Sequence, residues 1–151
     1  MFEIECKNPD EIILTTKQTR IRFDVATQTI DADLDVGPIV GPGEFEIGDA
    51  AIRGLVTESG QTVYDINISN THIGIIGGAD DAAKLDELGM VDVLCTSSVR
   101  AIREIEPKVV IAMGNIDGMV TELKLTPRAE KKYKLKNRDA LPVSLDVVAL
   151  S

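Results

Sequence analysis

Between residues 2 and 76 the chain is a succession of short runs rich in Ile, Val, Phe and Thr, each closed by a turn signal. That pattern leaves room for little besides β-structure. The runs are Phe2–Cys6, Glu11–Thr15, Arg20–Asp24, Glu44–Ile47, Ala51–Val56, Thr62–Ile68 and His72–Ile76. Asn8-Pro9-Asp10, Gly37-Pro38, Gly41-Pro42-Gly43, Ser59-Gly60 and Ser69-Asn70 supply the turns between them. Arg20–Asp24 alternates polar and apolar residues, as a half-buried antiparallel strand does.

From Gly77 onward the rhythm changes to alternating helix and strand. Asp80 or Asp81 can cap a helix that runs to about Leu88 and is closed by Gly89. Val91–Cys95 reads as a strand, and Ser97 or Ser98 caps a second helix through Val99, Ile102 and Ile105 that Glu106-Pro107 ends. Lys108–Met113 is nearly all apolar and suits a strand buried on both faces. Pro127–Glu130 reads as a short helical turn, and Tyr133–Lys136 and Val143–Leu150 as two closing strands. With no repeat, linker or low-complexity tract, the sequence predicts one α+β domain over residues 1–151, with about ten strands and two helices.

Composition narrows the function. A chain of 151 residues buries roughly two-thirds of its unfolded surface, enough for a core without staples. Lys+Arg number 16 against 25 Asp+Glu, a net charge of −9 that repels phosphate backbones and anionic lipid. Neither nucleic acid nor a membrane is therefore an expected partner. Two cysteines, Cys6 and Cys95, make no disulfide framework, and with no signal peptide at Met1–Glu5 the expected compartment is a reducing cytoplasm. The single histidine, His72, excludes multi-histidine zinc chemistry.

Few residues are placed to do chemistry. The junctions Gly77-Gly78-Ala79, Thr96-Ser97-Ser98 and Gly114-Asn115 follow strands, where layered α/β folds bind ligands. Two of the three offer glycine where a reaction needs a side chain. Gly74–Gly78 fits neither the dinucleotide nor the P-loop glycine spacing, and Asp80-Asp81 would repel an anion there. Cys95 and His72 form the only nucleophile–base pair the residues suggest. On parallel strands they lie about 13 Å apart, beyond proton-transfer reach. Ser97 and Ser98 lack a base. Asp31–Gly37 begins like a calcium loop but has Val36 where glycine and Pro42 where glutamate belong, so it reads as a strand with a wet face. Arg128–Arg138, with Lys131, Lys132, Lys134 and Lys136, reads as an edge strand guarded by lysines or as a surface for an acidic partner.

Gly41–Gly48 followed by Ala51–Leu55 resembles the GPGEYE-type segment of small metallo-β-lactamase-fold hydrolases, the branch related to ascorbate-6-phosphate lactonase. Thr62–Ile66 is similar to that family's TxYxIEI strand, His72–Gly77 to its xRIxxLG strand, and Leu85–Leu94 to LxxLGxVDVLL. Ile105–Met113 resembles IEPKVVIPMH closely, Lys134–Leu150 the closing strand pair, and Phe2–Asp24, more weakly, the opening strands. The likeness spans most of the chain in order. It implies a metallo-β-lactamase-like β-sandwich and, in the family, a zinc-dependent hydrolase.

The departures fall on the metal ligands that the resemblance implies. The HxHxDH stretch has no counterpart, since residues 25–40 contain no histidine. The bridging aspartate falls at Gly78 and a ligand histidine at Gly114, and no histidine stands between Leu55 and Thr62. Catalytic zinc needs three protein ligands. The resemblance therefore implies a retained fold with deleted chemistry: a non-catalytic domain with no catalytic, cofactor or metal residues and no cofactor, working through protein contacts or self-assembly. The alternatives are a residual hydrolase using Asp80, Asp81 or Asp117 with a hard cation, and a small-molecule binding module in the emptied cleft. The apolar run Ile12-Ile13-Leu14, on a sheet with no evident helical cover, predicts a homodimer through the N-terminal strands, with a foreign protein partner as the other use of that surface.

Overall fold

The computed structural model describes residues 1–32, 38–79, 82–114 and 116–150. Its first half is all strand: β1 (Phe2–Asn8), β2 (Glu11–Thr16), β3 (Arg20–Asp24), β4 (Thr29–Asp31), β5 (Ile39–Val40), β6 (Gly43–Ile47), β7 (Ala50–Val56), β8 (Thr62–Ile68) and β9 (Thr71–Gly77). There follow α1 (Ala82–Glu87), β10 (Val93–Thr96), α2 (Val99–Ile105), β11 (Val109–Ala112), α3 (Asp117–Leu123), β12 (Arg128–Glu130), β13 (Tyr133–Leu135), a 3-10 turn at Arg138–Ala140, and β14 (Asp146–Leu150).

The strands make two sheets. The first is antiparallel, in the order β13-β1-β2-β3-β4-β5. The second runs β12-β14-β11-β10-β9-β8-β7-β6, antiparallel from β6 to β9 and parallel beyond. Alternation decides which side chains face inward. Ile4, Leu14, Ile21 and Phe23 of the first sheet meet Ile66, Ile73, Ile75 and Ile111 of the second in a dry core. On its other face the second sheet sets Ile76, Leu94 and Val110 against Leu85, Ala101, Ile102 and Met119 of the three helices. Its central strands β9, β10 and β11 are thus covered on both sides, which is why their sequences are apolar runs.

The mainly-β α+β sandwich with reduced helices is the expected architecture, with differences in detail. Among the described residues there are three helices, not two, and fourteen strands, not about ten. The unforeseen α3 rests on Met119 alone as a buried residue, too sparse a stripe to read from sequence. Pro127–Glu130 is not a helical turn. Arg128–Glu130 pairs in parallel with β14, and the Arg128 guanidinium donates to Asp146 at 2.9 Å and Glu130 at 2.7 Å. β4 and β5 escape prediction because they are only three and two residues long. The proposed Asp80 or Asp81 cap, most of the Asp31–Gly37 segment, and Asn115 lie outside the described residues.

The outer face of the first sheet corrects a further expectation. Ile12-Ile13-Leu14 straddles the sheet, so Ile12 and Leu14 enter the core and only Ile13 points outward. Ile13 is 2% exposed, flanked in register by Glu5 and Arg22. Around it Arg22 pairs with Glu11 at 3.1 Å, Arg20 with Glu5 at 3.9 Å, and Lys132 with Glu3 and Glu5 at 3.7 Å. The face is charged and wet rather than bare and apolar. An N-terminal dimer contact loses the hydrophobic basis argued for it.

Candidate functional site

Parallel strands β9, β10 and β11 end on one rim of the sandwich, where ligands of such sheets bind. Gly78 follows β9 and Gly114 lies just past β11, with β10 between them; two strand spacings separate them by about 10 Å. Space is not what keeps these positions small. Among the described residues, a Cβ at Gly78 would touch only the Ser97 hydroxyl, at 3.4 Å, and one at Gly114 only Pro9, at 3.9 Å. Gly114 is, however, held at φ +70°, a left-handed conformation that side chains resist. Several polar groups nearby are spent on their own chain. The Thr96 hydroxyl donates to the Gly77 carbonyl at 2.7 Å, the Ser97 amide donates to the same oxygen at 2.9 Å, and the Gln61 amide donates to the Ile76 carbonyl at 3.3 Å.

Beside Gly114 lies a cleft of about 280 Å³ lined by Cys6, Asn8, Pro9, Ala112 and Leu150 among others, with no carboxylate or imidazole among its described residues. The Cys6 thiol donates to the Asn8 carbonyl at 3.1 Å, and burial, then Glu11 and Asp10, push it up from the ordinary thiol range. A thiol so shifted is a poor metal ligand and a poor nucleophile. Among the described residues no three His, Cys, Asp or Glu side chains come together in a metal-binding group. Hard oxygen and imidazole donors are what catalytic zinc requires, and the described part of this rim does not supply them.

The other residues singled out from the sequence are scattered. Cys95 is fully buried in the core between the sheets, and burial, with a smaller contribution from Cys6, raises its thiol far beyond reactivity. His72 stands at the start of β9, six residues and about 20 Å from Gly78. It and Cys95 are not brought together: Cys95 registers with Ile75, and His72 is on the opposite face of the sheet. Ser98 is the cap of α2, its hydroxyl accepting from the Ala101 amide at 3.1 Å, and Ser97 makes no nucleophile–base pair. Asp117 opens α3, where its carbonyl accepts from the Thr121 hydroxyl.

Sequence reasoning missed a polar cluster on the outer face of β7–β9. The largely buried Asp65 carboxylate accepts a hydrogen bond from His72 Nδ1 at 3.1 Å and lies 3.6 Å from Arg53. The Arg53 guanidinium also donates to the carbonyls of Glu87 (2.9 Å) and Leu88 (3.1 Å), tying the end of α1 to the sheet. Beside it the buried Asp92 accepts from Arg138 at 2.6 Å and from the His72 amide at 2.9 Å. These contacts join residues 7 to 46 apart, so no spacing in the sequence announces them. One cue existed: Asp65 is the only charge within Thr62–Ile68, a strand buried on both faces.

Two stacked sheets with helices on the second, and a rim at the ends of β9–β11, form the fold of the metallo-β-lactamase superfamily. A solved structure from Thermotoga maritima, described provisionally as a Zn-dependent hydrolase of that superfamily, aligns with a TM-score of 0.73 at 15% identity. The alignment covers 99% of this chain and 98% of that one. At that identity the likeness speaks for the fold. No family model and no curated protein sequence matches the chain.

Proposed function

We propose that the chain is a non-catalytic metallo-β-lactamase-fold domain whose surface serves protein contacts. One observation carries the reading: glycines stand at both strand-end positions, Gly78 and Gly114, where the family resemblance calls for metal ligands. The only histidine supports it too, because His72 is engaged by Asp65 about 20 Å away and cannot serve that rim. A hydrolase of this superfamily draws its nucleophile from metal-bound water, and without the ligands that water has no activator.

The test is activity with metal supplied. Purified protein is incubated with zinc or manganese and with lactone, phosphodiester and carboxylic ester substrates. The expected result is no turnover above the metal alone. Turnover that needs the protein and that a chelator removes would overturn the reading.

A further inference from the structure

Two of the four edge strands of the sandwich, β6 and β13, carry opposite charge. One edge is β6, which pairs only with β7 and whose backbone makes no hydrogen bond on the far side among the described residues. Glu44 and Glu46 project from it, two residues apart on the outer face of the second sheet, both exposed. Neither has an ion pair with a described residue. The neighbouring Arg53 does not neutralise them, being committed to Asp65 and to the end of α1. The oppositely charged edge is β13, which pairs only with β1. Here Lys132 and Lys134 are also two residues apart on an outer face, with Lys131 and Lys136 exposed beside them. Their side chains are 45% and 66% exposed and approach Glu3 no closer than 3.6 Å, so these pairs hold them only weakly.

A free edge strand is a template for another strand. Because side chains alternate with period two, pairing these edges can set two glutamates opposite two lysines on one face. We infer that the occupant of the β6 edge is a second copy of this chain, presenting its β13 edge. Charge complementarity carries the assignment, since among the described residues the β13 edge presents the alternating lysines that the two β6 glutamates would pair with. Two residues link β5 to β6, which places β6 at the end of the sandwich far from β13. The contact is therefore heterologous. It leaves one acidic and one basic edge free and grows as an open chain or ring rather than closing as a two-fold dimer. This inference deepens the contact role proposed above, but its test reads particle mass, whereas that reading is tested by turnover, so either can fail alone.

The experiment is light scattering on a sizing column across a concentration series. In about 0.01 M salt, where charges act over roughly 30 Å, the mass should climb past twice the 16.3 kDa of one chain. In about 1 M salt it should fall back to one chain. The variants E44K/E46K and K132E/K134E should each remain single chains, and mixing them in equal amounts should restore the larger particle. Circular dichroism checks that both are folded. A single-chain mass at every concentration in low salt would overturn the inference. So would assembly unaffected by the charge reversals, or failure of the mixture to associate.

Discussion

Tyr64 is fully buried between the sheets with its ring 5.5 Å from that of Phe23, and its hydroxyl has no hydrogen-bond partner among the described residues. An unsatisfied buried hydroxyl costs about 1–3 kcal/mol. Tyr64→Phe keeps the ring and removes that cost, so it should stabilise the fold by about 1 kcal/mol in urea denaturation. Burial also pushes the hydroxyls of Tyr64 and Tyr133 up from 10 to about 12. The unfolded chain gives up these protons first, so the folded state binds more of them between pH 10 and 12. Stability is therefore held below pH 10 and lost as pH rises through that window, and the loss should be smaller in Tyr64→Phe. At the rim, Gly78→Asp with Gly114→His should not create a tight zinc site, because two ligands are too few. The histidine at φ +70° should also destabilise the fold by about 1–3 kcal/mol. Calorimetry that finds tight zinc binding by this double variant would show that the ligand positions are misassigned. Both glycines were legible in the sequence because they interrupt motifs. The Asp65–His72–Arg53 cluster was not, since three strands contribute to it and only pairing brings them together.

At the scale of elements, legibility followed burial. Arg20–Asp24 and Thr62–Ile68 were read with their observed bounds because their apolar content is dense or strictly alternating. α3 and β12 were missed or misread because they bury little; no residue of β12 is fully buried. Helix α2 owes its start to Ser98, whose hydroxyl satisfies the Ala101 amide, and its stop to Glu106 at φ 54° before Pro107. Ser98→Ala should cost about 1 kcal/mol, seen as a lower midpoint in denaturant with an unchanged slope. Removal of the cap with no loss of stability would mean that packing of Ala101 and Ile102 alone holds the helix.

The whole molecule shares its fold with the solved Thermotoga structure at 15% identity, and what the two have in common is the packing of two sheets and their helices. Among the described residues, no helix is long and apolar enough to cross a membrane. What the sequence left open was the character of the surface, because the side each residue faces depends on strand register. Register turned an expected apolar face into a lattice of ion pairs and placed glutamates on the β6 edge and weakly paired lysines on the β13 edge. The proposal that this domain works without a metal is tested by elemental analysis of the purified protein. The account predicts zinc, manganese and iron each far below one atom per chain, also after incubation with the metal and gel filtration. One or two metal atoms per chain, retained through that filtration, would contradict it.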